Sequence, residues 1–149
     1  MADEGVLREL DDEVCMARLR SHTVGRIAFV PDGKPLLLPV NYRFVERAGP
    51  HWVLIRTKRG SALGELPSSD VAFEIDSIDP VSHTGWSVVA KGTLHHLDEG
   101  DVAPLRDHFD PEPWAPDRDE WLVVKCTAIT GRQLVSEGGE WPFHAAGYL

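Results

Sequence analysis

The stretch Val24-Gly25-Arg26-Ile27-Ala28-Phe29-Val30, followed at once by Pro31-Asp32-Gly33-Lys34, decides the fold class. Its β-branched and aromatic residues favour a strand. Pro-Asp-Gly is a turn in which proline presets one φ and glycine accepts a positive one. The next run, from Pro35 through Leu36-Leu37-Leu38 to Tyr42 and Phe44, is almost wholly apolar and predicts a second strand covered on both faces. A turn over residues 46–50 leads to a third strand at 51–56. Connections this tight leave no room for the helical crossovers of a parallel sheet, so the strands are antiparallel.

Working outward, residues 71–76 alternate cleanly as a fourth strand, and Trp86 to Leu97 is the longest β-pattern in the chain. Gly92 inside it predicts a bulge or sharp bend, which a closing barrel requires. Residues 120–129 make a sixth strand. One early helix is predicted: Asp11 or Asp12 caps it, Arg18 and Arg20 lie at the end that favours cations, and Val14, Cys15, Ala17 and Leu19 face the core. Ser61 caps a short helix reaching Leu66, and Asp98 caps another running to about His108. The predicted architecture is mainly β with short helices, a six-stranded antiparallel barrel whose closure removes most exposed edges. A single domain over residues 1–137 is followed by a tail, 138–149.

The 149 residues carry 24 acidic against 15 basic side chains, a formal charge of −9. That disfavours nucleic acid and anionic membranes as partners, since both need a positive field. Two cysteines cannot build a disulfide scaffold, and neither a signal segment nor an apolar run of membrane-spanning length is present, which predicts a cytoplasmic protein. The seven histidines show no metal-site spacing. No G-x-S-x-G elbow occurs, and the paired carboxylates lie at element ends where helix capping explains them.

Against that acidic background, Arg56, Lys58 and Arg59 fall within four positions beside Thr57, Gly60 and Ser61. Cationic side chains, hydroxyls and backbone N–H groups at a strand end suit a phosphate monoester, and a solvated basic turn would have the same composition. Trp86 offers a flat side chain either to a planar ligand or to the barrel core.

In order, Val24–Phe29, Pro35-Leu36-Leu37-Leu38-Pro39-Val40-Asn41-Tyr42, Arg56-Thr57 before Gly60-Ser61, the strand at 71–76, and Thr84-Gly85-Trp86-Ser87-Val88 leading to Gly92 resemble the pyridoxamine 5′-phosphate oxidase-like flavoproteins, in their small actinobacterial branch with an FMN-binding split barrel. The resemblance implies a homodimer with two FMN sites in clefts between subunits. By position, Arg56, Thr57, Lys58 and Ser61 would hold the phosphate, Pro39, Val40 and Asn41 would face the flavin ring, and Trp86 and Ser87 would reach the cofactor, from the second subunit. Relatives usually carry lysine directly after the Gly-Ser pair, where this chain has Ala62, so Lys58 and Arg59 are the substitutes and the deazaflavin F420 is the alternative cofactor. The C-terminal Trp141-Pro142-Phe143-His144 lacks the arginine of true pyridoxamine phosphate oxidases, so vitamin B6 synthesis is not expected. The implied activity is flavin-dependent oxidoreduction of a small molecule by hydride transfer at N5, with no catalytic side chain named. Flavin binding without turnover, as a redox sensor or carrier, and haem binding through His51, His83 or His95 are the alternatives.

Overall fold

The computed structural model describes residues 5–136; the tail expected at 138–149 lies outside them. Seven strands form, β1 (Gly5–Leu10), β2 (Val24–Phe29), β3 (Leu36–Val45), β4 (Trp52–Thr57), β5 (Asp70–Asp79), β6 (Thr84–His96) and β7 (Glu120–Ser136), with helices α1 (Asp12–Ser21), α2 (Glu99–Val102) and α3 (Arg106–Phe109). All pairings are antiparallel. The order β7-β4-β3-β2-β5-β6 closes on itself through β6 and β7, giving a six-stranded barrel. β1 lies outside that ring, paired with the second half of β7 beyond the part that β4 occupies.

Alternation along the strands fills the barrel. Ile27, Phe29, Tyr42, Phe73, Ile75, Val88, Leu94 and Leu122 point inward and are buried. Gly92 sits at the register shift between β6 and β7, and a Cβ there would stand 2.1 Å from the Lys125 carbonyl oxygen. Gly131 does the equivalent for α1: a Cβ would meet the Cys15 Sγ at 2.6 Å, so the missing side chain lets the helix seat on β7. Asp11 caps α1 by accepting from the Val14 N–H at 2.9 Å. A smaller cluster of Val45, Leu54 and Val123 lies under Leu97, Leu105 and Phe109, where the segment ending in α3 covers the outside of β3, β4 and β7.

Several expectations are corrected. The sixth strand, expected at 120–129, continues to Ser136 because its second half pairs with residues 5–10, a strand to which the sequence assigned no element. Arg18, not Ala17, turns inward from α1, since its guanidinium covers the buried face of Trp86 at 4.3 Å from the ring centroid. The segment after Ser61 is a hydrogen-bonded turn, and the helix after Asp98 is split in two around Pro104. β3 is covered on both faces only at its far end, where Phe44 and Val45 are buried; at its start both faces are open, with Leu36 and Leu37 exposed, Leu37 by 59%. Among the described residues, no helix is long and apolar enough to cross a membrane.

Candidate functional site

The basic segment leaves β4 as a turn held from three directions. Ser61 Oγ accepts from the Gly64 N–H at 3.0 Å and shares a 3.1 Å hydrogen bond with Thr57 Oγ1, and Gly60 takes a positive φ of 81°. The far end is pinned by His96, whose Nε2 lies 2.6 Å from the Leu66 carbonyl and whose Nδ1 lies 3.0 Å from Glu120 Oε1. Two acceptors for two ring nitrogens favour the imidazolium, so the His96 pKa is raised, first by the Leu66 carbonyl and then, against the cost of burial, by Glu120.

The cations of this turn are not equivalent. Arg56 Nη1 donates to both Asp110 carboxylate oxygens at 2.9 and 3.1 Å, and Nε donates to the Arg118 carbonyl at 2.8 Å. Only Nη2 is free of a close partner; its nearest carboxylate is Asp119 at 3.8 Å. Arg59 lies 3.7 Å from Glu120. Lys58 is exposed; its carbonyl accepts from the Ser61 N–H at 3.1 Å, and no hydrogen bond or ion pair engages its ammonium among the described residues. The cluster that composition alone suggests as a phosphate cradle therefore reduces to Lys58, one edge of Arg56 and the Thr57–Ser61 hydroxyl pair.

Asn41 stands on the neighbouring strand, next to the Tyr42–Ile55 pair. Its Oδ1 accepts from the Trp114 N–H at 3.0 Å, and Arg43 Nε donates to the Asp110 carbonyl at 3.1 Å. A proline-rich loop at 110–118 is thus fastened across Asn41, Arg43 and Arg56, holding the Trp114 side chain 80% exposed. Sequence reasoning missed Asp110, Arg43 and this role of Trp114. Their contacts span 54 to 73 residues and leave no local pattern.

The nine residues expected at a cofactor split into two groups. Arg56, Thr57, Lys58, Ser61 and Asn41 come together at the β4 turn. Pro39 and Val40 extend β3 away from it, Pro39 pointing outward opposite Arg26 and Val40 inward onto the core. Trp86 and Ser87 lie three strand spacings from Asn41, about 14 Å along the sheet. The Trp86 indole is 3% exposed and packs inward, edge-on to His22 at 5.1 Å, and Ser87 faces outward between Asp76 and Arg132.

Between the groups the outer face carries a row across five strands, Pro39, Arg26, Glu74, Val89 and Thr130. Arg26 Nη1 is shared by Asp76 at 2.9 Å and Glu74 at 3.4 Å. Burial first, and then the neighbouring Asp76 carboxyl, push Glu74 up to about 7, against the lowering pull of Arg26. Both cysteines are free and buried, and burial raises the Cys126 thiol to about 11, so neither is poised as a nucleophile. His51, His83 and His95 lie on separate elements, before β4, in the β5–β6 turn and on β6.

Comparison with known proteins agrees with this architecture. An uncharacterized protein of Mycobacterium tuberculosis, Rv0080, is 27% identical over 136 residues, 87% of this chain and 86% of that relative. The crystal structure of a conserved protein of unknown function from Corynebacterium diphtheriae, DIP1874, superposes with a TM-score of 0.71 at 30% identity, covering 87% of this chain and 98% of that one. An FAD binding protein from Mycobacterium smegmatis superposes with a TM-score of 0.64 at 26% identity, over 86% and 98% of the two chains. Residues 11–133, from the α1 cap to the end of the β6–β7 closure, match the family described as pyridoxamine 5′-phosphate oxidase, and the chain belongs to that family.

Proposed function

We infer that the protein is a flavin-dependent oxidoreductase that works as a homodimer, with FMN as its cofactor and a small molecule as substrate. The observation that carries the reading is Lys58, an exposed cation without an ion partner among the described residues, beside the Thr57–Ser61 hydroxyl pair at a strand end. These residues fit a phosphate monoester, which takes hydrogen bonds from hydroxyls and charge from an unpaired ammonium. Arg56 would add its Nη2 edge while Asp110 and the Arg118 carbonyl fix its plane. The Asn41 amide nitrogen, left over by the bond from Trp114 to Oδ1, would face the ring beside Pro39 and Val40. The FAD binding protein among the similar structures supports a flavin in general.

Two further features support a second copy. Leu37 and Val24 lie exposed on the outer face of β3 and β2, on either side of the Arg26–Pro39 pair, apolar surface that a partner would cover. We read Ser87, three strand spacings from Asn41 of its own chain, as reaching the cofactor held at the β4 turn of a second copy. When bound, the flavin supplies hydride transfer at N5, and the protein supplies orientation and exclusion of water.

Titration of the purified protein with FMN and riboflavin tests the reading. Lys58→Ala is expected to weaken FMN about tenfold, the value of one charge-assisted contact, and to leave riboflavin unchanged. Equal FMN affinity in the variant, or no flavin binding by the wild type, would overturn it.

A further inference from the structure

On the outer face, across the sheet from the basic turn, Leu7, Leu134, Gly85 and Ile78 form a continuous row over β1, β7, β6 and β5. Gly85 puts no side chain in the middle of that row. A Cβ there would meet the Ser77 carbonyl oxygen at 2.8 Å. A trough two strand spacings wide, about 10 Å, therefore opens between Leu134 and Ile78. It is closed at one end by Pro80 and the β5–β6 turn and has a volume of about 690 Å³, within the range of small-molecule sites. Leu7 and Ile78 line it while more than half exposed, Ile78 by 67%, so much apolar surface stands uncovered.

The polar groups of the trough lie at its ends, Asp79, His83 and Thr84 at the β5–β6 turn and Ser87 and Arg132 opposite. Arg132 stands on its rim next to Ser87, and no hydrogen bond or ion pair engages its guanidinium among the described residues, although Glu9 faces it across the β1–β7 pair. Asp79 also lines the trough, but its Oδ1 accepts from the Val81 and Ser82 N–H groups and so serves the turn. Glu9, facing Arg132 across the β1–β7 pair, would repel a dianion there more than a monoanion.

We propose that this trough is a ligand site for a planar, apolar monocarboxylate, with the ring system over Gly85 between Leu134 and Ile78 and the carboxylate on Arg132. Arginine presents paired donors in the geometry of a carboxylate, and Ser87 offers a further hydroxyl donor. Binding of this ligand does not depend on the flavin reading. The two meet only at Ser87, which would put such a ligand beside the cofactor as its substrate.

The full-length protein is titrated calorimetrically with 2-naphthoate and its neutral isostere 2-naphthamide, with and without saturating FMN. The expected result is one naphthoate per chain, affinity about tenfold lower for the amide and for Arg132→Gln, and loss of both ligands in Ile78→Asp with an unchanged circular dichroism spectrum. Naphthoate that fails to bind, or that binds Arg132→Gln and wild type alike, overturns the proposal whatever FMN does. Displacement of naphthoate by FMN one for one also overturns it, because the trough would then belong to the flavin. Naphthoate binding in a protein that takes no FMN sustains the site and removes only the flavin reading.

Discussion

Replacing Gly92 with alanine tests how the barrel closes. The added Cβ would lie 2.1 Å from the Lys125 oxygen, 2.7 Å from its carbonyl carbon and 3.0 Å from the Cys126 Cα. All three are backbone atoms of β7, so no rotamer change relieves the contact. Ordinary separation requires β6 and β7 to part by more than about 1 Å at the one point where their register shifts, in the strand pair that shuts the ring. Overpacking costs about 1 to 3 kcal/mol, and one or two weakened ladder bonds add roughly 1 kcal/mol each, for a loss of about 2 to 5 kcal/mol. That is a large share of the total stability of a domain, and it lowers Tm by about 10 °C. Urea denaturation followed by tryptophan fluorescence measures it, with Gly49→Ala as control, since a Cβ at Gly49 meets nothing within 4 Å. A loss below about 1 kcal/mol at an unchanged m-value would refute the close approach of β6 to β7 as the reason for this glycine.

Two titrating groups give further tests. The Glu74 pKa rises on folding from an ordinary 4.5 to about 7, so the folded state holds more protons than the unfolded one between those values, and the contribution of Glu74 to stability falls as pH rises through that window and is level above it. Glu74→Gln removes the effect. Because a third of the side chain is exposed, wild type should lose only about 1 kcal/mol relative to the variant between roughly pH 5 and 8, and a difference independent of pH would contradict the assignment. His96 has the same sign for the opposite reason: its charged form is favoured in the fold, so its contribution is complete below pH 6.5 and is lost as pH rises through the higher folded value. Titration of its imidazole resonances should show a midpoint above 6.5, and a midpoint at or below it would refute the grip of the Leu66 carbonyl and Glu120 on the ring.

The separation between local and tertiary information runs through particular residues. Five of the six barrel strands, their antiparallel sense, the Asp11 cap and the bulge at Gly92 follow from patterns within a dozen residues, because alternation, capping and turn chemistry are local. The sixth, β7, was legible only in its first half. Its second half and β1 stabilise each other, and neither has a strong strand signature alone. Exposure of Leu37 was likewise invisible, since an apolar run cannot say which of its faces meets the chain's own core.

By itself the sequence determined the antiparallel barrel and the presence of a basic turn in an acidic chain. Tertiary structure decided what that turn can do. Asp110, 54 positions away, neutralises one edge of Arg56, Glu120 lies beside Arg59, and Lys58 remains the available cation. It also sent Trp86 into the core and turned Ser87 toward an apolar trough edged by Arg132. Charge composition sums over the whole chain, whereas binding depends on which charges are already paired, and pairing across a barrel is set by register and closure.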